Sequence, residues 1–171
     1  EILTPSDNFN DVFNFVKSIR KKYNFKISSF ISNIKETNEN LCNYLSINCL
    51  HFDSYLISIG YKSFNRCQSL TKIIFNNPSS LKFIGDFAFA NCSLLNEVII
   101  PSTVEFIGKM AFSGCESLLR IEIPSSVIEI KESAFHGCSS LKEVNIPSSV
   151  ISIGNSAFSK CSSLSKLSIH S

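Results

Sequence analysis

The sequence predicts a solenoid of five stacked 23-residue units with parallel β-strands and short helical turns, preceded by a small helical N-terminal segment. Three observations point there. Phe64, Phe89, Phe112, Phe135 and Phe158 follow one another at intervals of 25, 23, 23 and 23 residues. Cys67, Cys92, Cys115, Cys138 and Cys161 repeat the same series. The composition is also skewed as repetition skews it, with 31 Ser, 22 Ile and 16 Asn among 171 residues, against six Gly, one Met and no Trp. Self-similarity at a fixed period is the mark of units that bury their faces only by stacking.

The units span 53–75, 78–100, 101–123, 124–146 and 147–169, and the inserted pair Asn76-Asn77 accounts for the one long interval. Residues 53–171 therefore form the solenoid and residues 1–52 the segment before it. Each unit approximates P-S-S-V-x-x-I-G-x-x-A-F-x-x-C-x-S-L-x-x-V-x-I. Leu118, Ile121 and Ile123 give an L-x-x-I-x-I strand signature, matched by Leu141/Val144/Ile146 and Leu164/Leu167/Ile169. The last two positions alternate with polar residues, as in a half-buried strand. Pro101, Pro124 and Pro147 stop the strand, because proline cannot donate to a ladder. A second short stretch then returns: Val104-x-x-Ile107, Val127-x-x-Ile130, Val150-x-x-Ile153. Gly60, Gly85, Gly108 and Gly154 close it and predict a turn at positive φ, with Lys131 in the glycine's place in unit four. The A-F-x-x-C segment predicts a helical turn that drops Phe and Cys into the interior. With strands about 4.8 Å apart, five units make a solenoid about 25 Å long.

These units, as in I-P-S-S-V-I-S-I-G-N-S-A-F-S-K-C-S-S-L, resemble the BspA-type leucine-rich repeat over residues 53–169. The resemblance implies a leucine-rich-repeat solenoid with a concave β-sheet. It also implies kinship with surface and adhesion proteins of oral bacteria and anaerobic protists, some of which bind host matrix or other cells. The chain departs from the ordinary leucine-rich repeat in lacking an Asn ladder after the strand, where Ser126 and Ser149 stand instead.

Before residue 53 no repeat is evident. Phe9, Val12, Phe13, Val16 and Ile19 follow helical spacing behind Pro5, Ser6 and Asp7; Ile27, Phe30, Ile31 and Ile34 repeat it; and Leu41, Tyr44, Leu45 and Cys49 give a third helix. These helices read either as a cap over the first repeat or as the tail of a helical domain upstream. The chain begins with Glu1 rather than Met, so a signal peptide removed in processing is compatible with it. At the other end, unit five finishes at Ile169 without a polar cap. Further repeats, another molecule or a blunted edge are the alternatives for it.

Composition narrows the chemistry. The chain is 44% hydrophobic and 18% charged with a net charge of +2, which gives no basic field for nucleic acid. No apolar run approaches the roughly 20 residues that span a bilayer, so no membrane insertion is expected in this segment. The seven cysteines contain no C-x-x-C pair, and the 23-residue spacing is architectural, so the column reads as buried, reduced packing thiols and no metal site is expected. His51, His136 and His170 occupy unrelated repeat positions and assemble no triad, and no phosphate-binding glycine loop is present. The expectation is therefore no catalytic residue, no cofactor and no enzyme. The sequon Asn91-Cys92-Ser93 includes a column cysteine, which argues against its use.

The candidate site is the outward row of the concave sheet. Lys72, Glu97, Arg120, Glu143 and Lys166 occupy one repeat position and alternate in sign, so that in a parallel stack they form a ladder of opposite charges. Two residues further along stand Ile74, Ile99, Glu122, Asn145 and Ser168, in which Ile74 and Ile99 make a small apolar patch, either a partner contact or a contact with the N-terminal helices. The expected activity is a non-enzymatic protein-interaction module, with protein partners met through the concave sheet or the open solenoid end. The family resemblance places it at a cell surface in adhesion or host-protein binding; the alternative is an intracellular or cytoskeletal scaffold docked into a larger assembly.

Overall fold

The computed structural model describes residues 47–52 and 54–169. Within them the chain winds as a parallel β-solenoid. Its front strands are β1 (Cys49–Phe52), β3 (Lys72–Phe75), β5 (Glu97–Val98), β7 (Arg120–Glu122), β9 (Glu143–Ile146) and β11 (Lys166–Ile169). Its back strands are β2 (Ser58–Ile59), β4 (Phe83–Ile84), β6 (Phe106–Ile107), β8 (Glu129–Ile130) and β10 (Ser152–Ile153). The back strands form one continuous five-stranded sheet, whereas the front divides into β1-β3-β5 and β7-β9-β11. A single bridge, Ile99 to Glu122, spans the seam.

The alternation read from the sequence sets which side chains enter the core. In β9, Val144 and Ile146 point inward and Glu143 and Asn145 outward. Between the two sheets run columns of identical residues. The rings of Phe64, Phe89, Phe112, Phe135 and Phe158 stack at 5.3, 5.4, 5.5 and 5.3 Å. Phe89, Phe112 and Phe135 are fully buried, each ring lying between two others. Beside them, the thiols of Cys92, Cys115, Cys138 and Cys161 donate to the carbonyls of Phe64, Phe89, Phe112 and Phe135 in the preceding unit. A thiol at this position fills volume and satisfies a carbonyl at once.

Four expectations need correction. Among the described residues the front sheet already includes Cys49 to Phe52, a strand ahead of residue 53 that pairs in register with Lys72 to Phe75. Cys49 therefore belongs to a strand and not to the third helix assigned to it, and the helices assigned to residues 1–46 lie outside the described residues. The A-F-x-x-C segment is a run of turns; no helix occurs among the described residues. Its alternate N–H groups leave the segment: Phe87, Phe89 and Asn91 donate to the carbonyls of Lys109, Ala111 and Ser113 in the next unit at 2.8, 2.8 and 2.7 Å. A helix would claim those donors for its own turn, so stacking and helix formation compete, and stacking prevails. Positive φ occurs at Phe87 and Asn91 and their equivalents rather than at the glycine ending the back strand. That glycine answers a close approach: a Cβ on Gly108 would lie 2.6 Å from the carbonyl carbon of Gly85. Finally, Cys67 is disulfide-bonded, so the column is not wholly reduced.

Candidate interaction surface

The outward row of the front sheet is divided by the seam, with no strand pairing between Glu97 and Arg120. Lys72 is opposite Glu97, Arg120 is opposite Glu143, and Glu143 is opposite Lys166. The charge ladder closes only at its N-terminal end, where Lys72 Nζ lies 2.9 Å from Glu97 Oε2. Among the described residues no ion pair joins Arg120, Glu143 and Lys166 to one another or to any other group, and all three are exposed. In the second row His51 is opposite Ile74, Ile99 bridges to Glu122, and Glu122 and Asn145 and then Ser168 continue it. Ile74 is half-buried, while Ile99 is 67% exposed beside the seam.

The two halves of the face consequently differ. Over β3 and β5 it is apolar and bordered by a neutralised pair. Over β7, β9 and β11 lies a cavity of about 520 Å³ lined by Arg120, Glu122, Glu143, Asn145, Lys166 and Ser168 above the strand backbones. The arrangement can offer an apolar anchor and a set of charges of both signs, which is chemistry suited to recognition.

Several surface features escaped sequence reasoning. On the back sheet Lys82 pairs with Glu105, and Lys109 with Glu132 at 2.9 Å. Each pair is offset by one period of 23, so the signal was present in the repeat alignment. Phe83, 44% exposed, stacks on Phe106 at 5.4 Å. Elsewhere, Tyr61 meets Phe87 edge-on at 5.8 Å with Lys62 Nζ over both rings.

Three thiols of the column, Cys92, Cys115 and Cys138, are held protonated at neutral pH. Burial pushes Cys92 up to about 12 and Cys115 well above the ordinary thiol range. Cys138 is raised by its hydrogen bond with Cys161 and by burial, and the same bond lowers Cys161. A thiol that stays protonated neither attacks nor binds metal. Among the described residues no three His, Cys, Asp or Glu side chains cluster as a metal would need, and no helix is long and apolar enough to cross a membrane.

A short-strand parallel solenoid with a 23-residue turn and an open front face defines a leucine-rich-repeat protein. The BspA type leucine-rich repeat region matches residues 15–94 and 35–165 in six copies, and the chain belongs to that family. Among solved structures, the chain is similar to a leucine-rich cell surface protein from Faecalibacterium prausnitzii, with 31% identity and a TM-score of 0.68 over 73% of this chain and 32% of that one. It is also similar to a leucine-rich repeat protein from Bacteroides ovatus, with 43% identity and a TM-score of 0.62 over 66% of this chain and 29% of that one. The pneumococcal vaccine antigen PcpA shares 27% identity and a TM-score of 0.57 over 71% of this chain and 29% of its own. The chain thus spans about a third of the length of these relatives. Among curated protein sequences, none matches it.

Proposed function

We propose that the chain is a non-enzymatic recognition module that binds a protein partner through the front face of the solenoid, displayed at a cell surface as the F. prausnitzii relative is named to be. The observation that carries this reading is the exposure of Ile99 at 67% between the closed pair Lys72–Glu97 and the uncompensated charges Arg120, Glu143 and Lys166. An apolar anchor rimmed by charge is the composition of a protein interface, where a few central side chains carry most of the affinity. The flanking charges add orientation and selectivity.

Cross-linking mass spectrometry on native cells, in the wild type and in Ile99→Glu, tests the reading. Cross-links from Lys72 and Lys166 to one protein outside the cell are expected, with their loss in the variant while its melting temperature stays within about 2 °C of the wild type. Cross-links that run from the back-sheet lysines Lys82 and Lys109 into cytoplasmic structures and survive Ile99→Glu overturn it.

A further inference from the structure

The functional reading above leaves the partner's shape open, and the front face constrains it. Arg120, Glu143 and Lys166 stand on successive rungs in the order positive, negative, positive. They neutralise neither one another nor any other described residue. Three exposed charges at adjacent register positions without an ion pair differ from Lys72 and Glu97, which meet at 2.9 Å in the same row. The cavity they border is confined to β7, β9 and β11 and starts at the seam where the sheet is held by one bridge, beside Ile99.

The spacing selects a secondary structure. Parallel rungs are about 4.8 Å apart, so the second and third charges lie about 4.8 and 9.6 Å from the first. Along an α-helix, positions i, i+3 and i+7 lie at about 0, 4.5 and 10.5 Å and share one face. Along an extended strand, same-face positions fall at about 0, 6.6 and 13 Å, which overshoots the third rung by about 3.6 Å where the helix overshoots it by about 0.9 Å. One helical turn before i, position i−4 lies at the rung of β5, where Ile99 stands in the row of Glu122, Asn145 and Ser168.

We propose that this groove receives an α-helix of the partner protein, laid along the solenoid axis across the strands. That helix carries an apolar residue at i−4 against Ile99, acidic residues at i and i+7 against Arg120 and Lys166, and a basic residue at i+3 against Glu143. Glu122, Asn145 and Ser168, in the same row as Ile99, flank it along that side. The proposal rests on the front face being the binding surface and adds which half is read and what pattern reads it.

The test uses the full 171-residue chain and synthetic helix-stapled peptides with Leu-x-x-x-Glu-x-x-Lys-x-x-x-Glu, the charge-reversed Leu-x-x-x-Lys-x-x-Glu-x-x-x-Lys, and a scrambled peptide of equal composition. Fluorescence anisotropy is measured at low and high salt. The first peptide is expected to bind at least tenfold tighter than the scrambled one, and to lose tenfold or more in Arg120→Glu/Lys166→Glu. The triple variant Arg120→Glu/Glu143→Lys/Lys166→Glu is expected to prefer the reversed peptide, which a merely destabilised protein would not do. Equal binding of the scrambled peptide, tighter binding of an unstapled extended peptide, or no exchange of preference in the triple variant overturns the proposal. The two readings fail separately. If Ile99→Glu abolishes the cellular cross-links but no peptide discriminates, the helix proposal falls and the binding face stands. If the cross-links ignore the front sheet, the functional reading itself falls.

Discussion

A residue in this solenoid is worth what its column gives it, and the phenylalanines show this most directly. Phe112 is fully buried with rings at 5.4 and 5.5 Å on either side, whereas Phe158 is only partly buried and, among the described residues, stacks on one ring, Phe135 at 5.3 Å. Truncating a buried Phe costs about 3–5 kcal/mol, composed of lost transfer energy and the cavity left behind. Phe112→Ala is expected to lose that amount in urea unfolding, and Phe158→Ala less than half of it. Equal losses would mean that the column does not act as a cooperative spine. The thiols allow a second prediction at this scale. A thiol whose folded-state value is raised stabilises the fold while the unfolded thiol is also protonated, and that stability is lost as pH climbs through the window between the two values. For Cys92 the window runs from 9.0 to about 12. Stability should therefore fall above pH 9, by about 1–1.5 kcal/mol per pH unit for each fully buried thiol. Cys92→Ala should reduce the slope of that decline by close to one proton, measured by urea melts between pH 8 and 10.5.

At the scale of the element, the strands were legible and the turns were not. Ile121/Ile123 and Val144/Ile146 declared the front strands because alternation leaves one face polar, and register followed from the period alone. In the row of Lys72, Glu97, Arg120, Glu143 and Lys166 the register on either side of the seam was legible for the same reason. Which of its members would pair was not, because ion-pair closure depends on side-chain reach rather than on register. The A-F-x-x-C turn was misread because Ala, Phe and Cys at those spacings satisfy a helix equally well. What decides is the destination of alternate N–H groups, a non-local property. The left-handed backbone at Phe87 costs about 1–2 kcal/mol, and the inter-unit bond from the Phe87 N–H to the Lys109 carbonyl, 2.8 Å, helps to offset it. The strand β1 was missed although a signal existed: Ile47-x-x-Leu50-x-Phe52 repeats Leu70-x-x-Ile73-x-Phe75 one period earlier. The helical spacing of Leu41, Tyr44, Leu45 and Cys49 masked it. The seam between β5 and β7, which divides the candidate surface, leaves no trace in the repeat.

For the whole molecule, the two ends of the described solenoid are unlike. Leu50 and Phe52 on the first front rung are 2% exposed, and Phe52 packs on both Phe64 and Phe75. On the last rung Leu167 and Ile169 are 48% and 65% exposed, where their equivalents one unit back, Val144 and Ile146, are 2% and 1%. Hydrogen bonding shows the same asymmetry. The N–H groups of Ser133, Phe135 and Gly137 donate to Asn155, Ala157 and Ser159, whereas those of Ser156, Phe158 and Lys160 find no acceptor among the described residues. In a stack with nearest-neighbour interfaces, a unit lacking one interface opens at lower free energy than its neighbours. Native-state hydrogen exchange on the chain as it stands should therefore show fast exchange at Ser156, Phe158 and Lys160. Protection should rise by orders of magnitude at Ser133, Phe135 and Gly137 and stay high through Phe87, Phe89 and Asn91. Uniform protection along the solenoid would mean that the last unit's exposed face is covered in solution, for instance by a second copy, and a concentration-dependent mass would identify that copy. Graded protection instead leaves the groove over β7, β9 and β11 spanning a stable rung and a fraying one, so Lys166 would be fixed only when a partner binds. In that case the partner should slow exchange at β11 far more than at β7, a gradient that a ligand held by Arg120 alone would not produce.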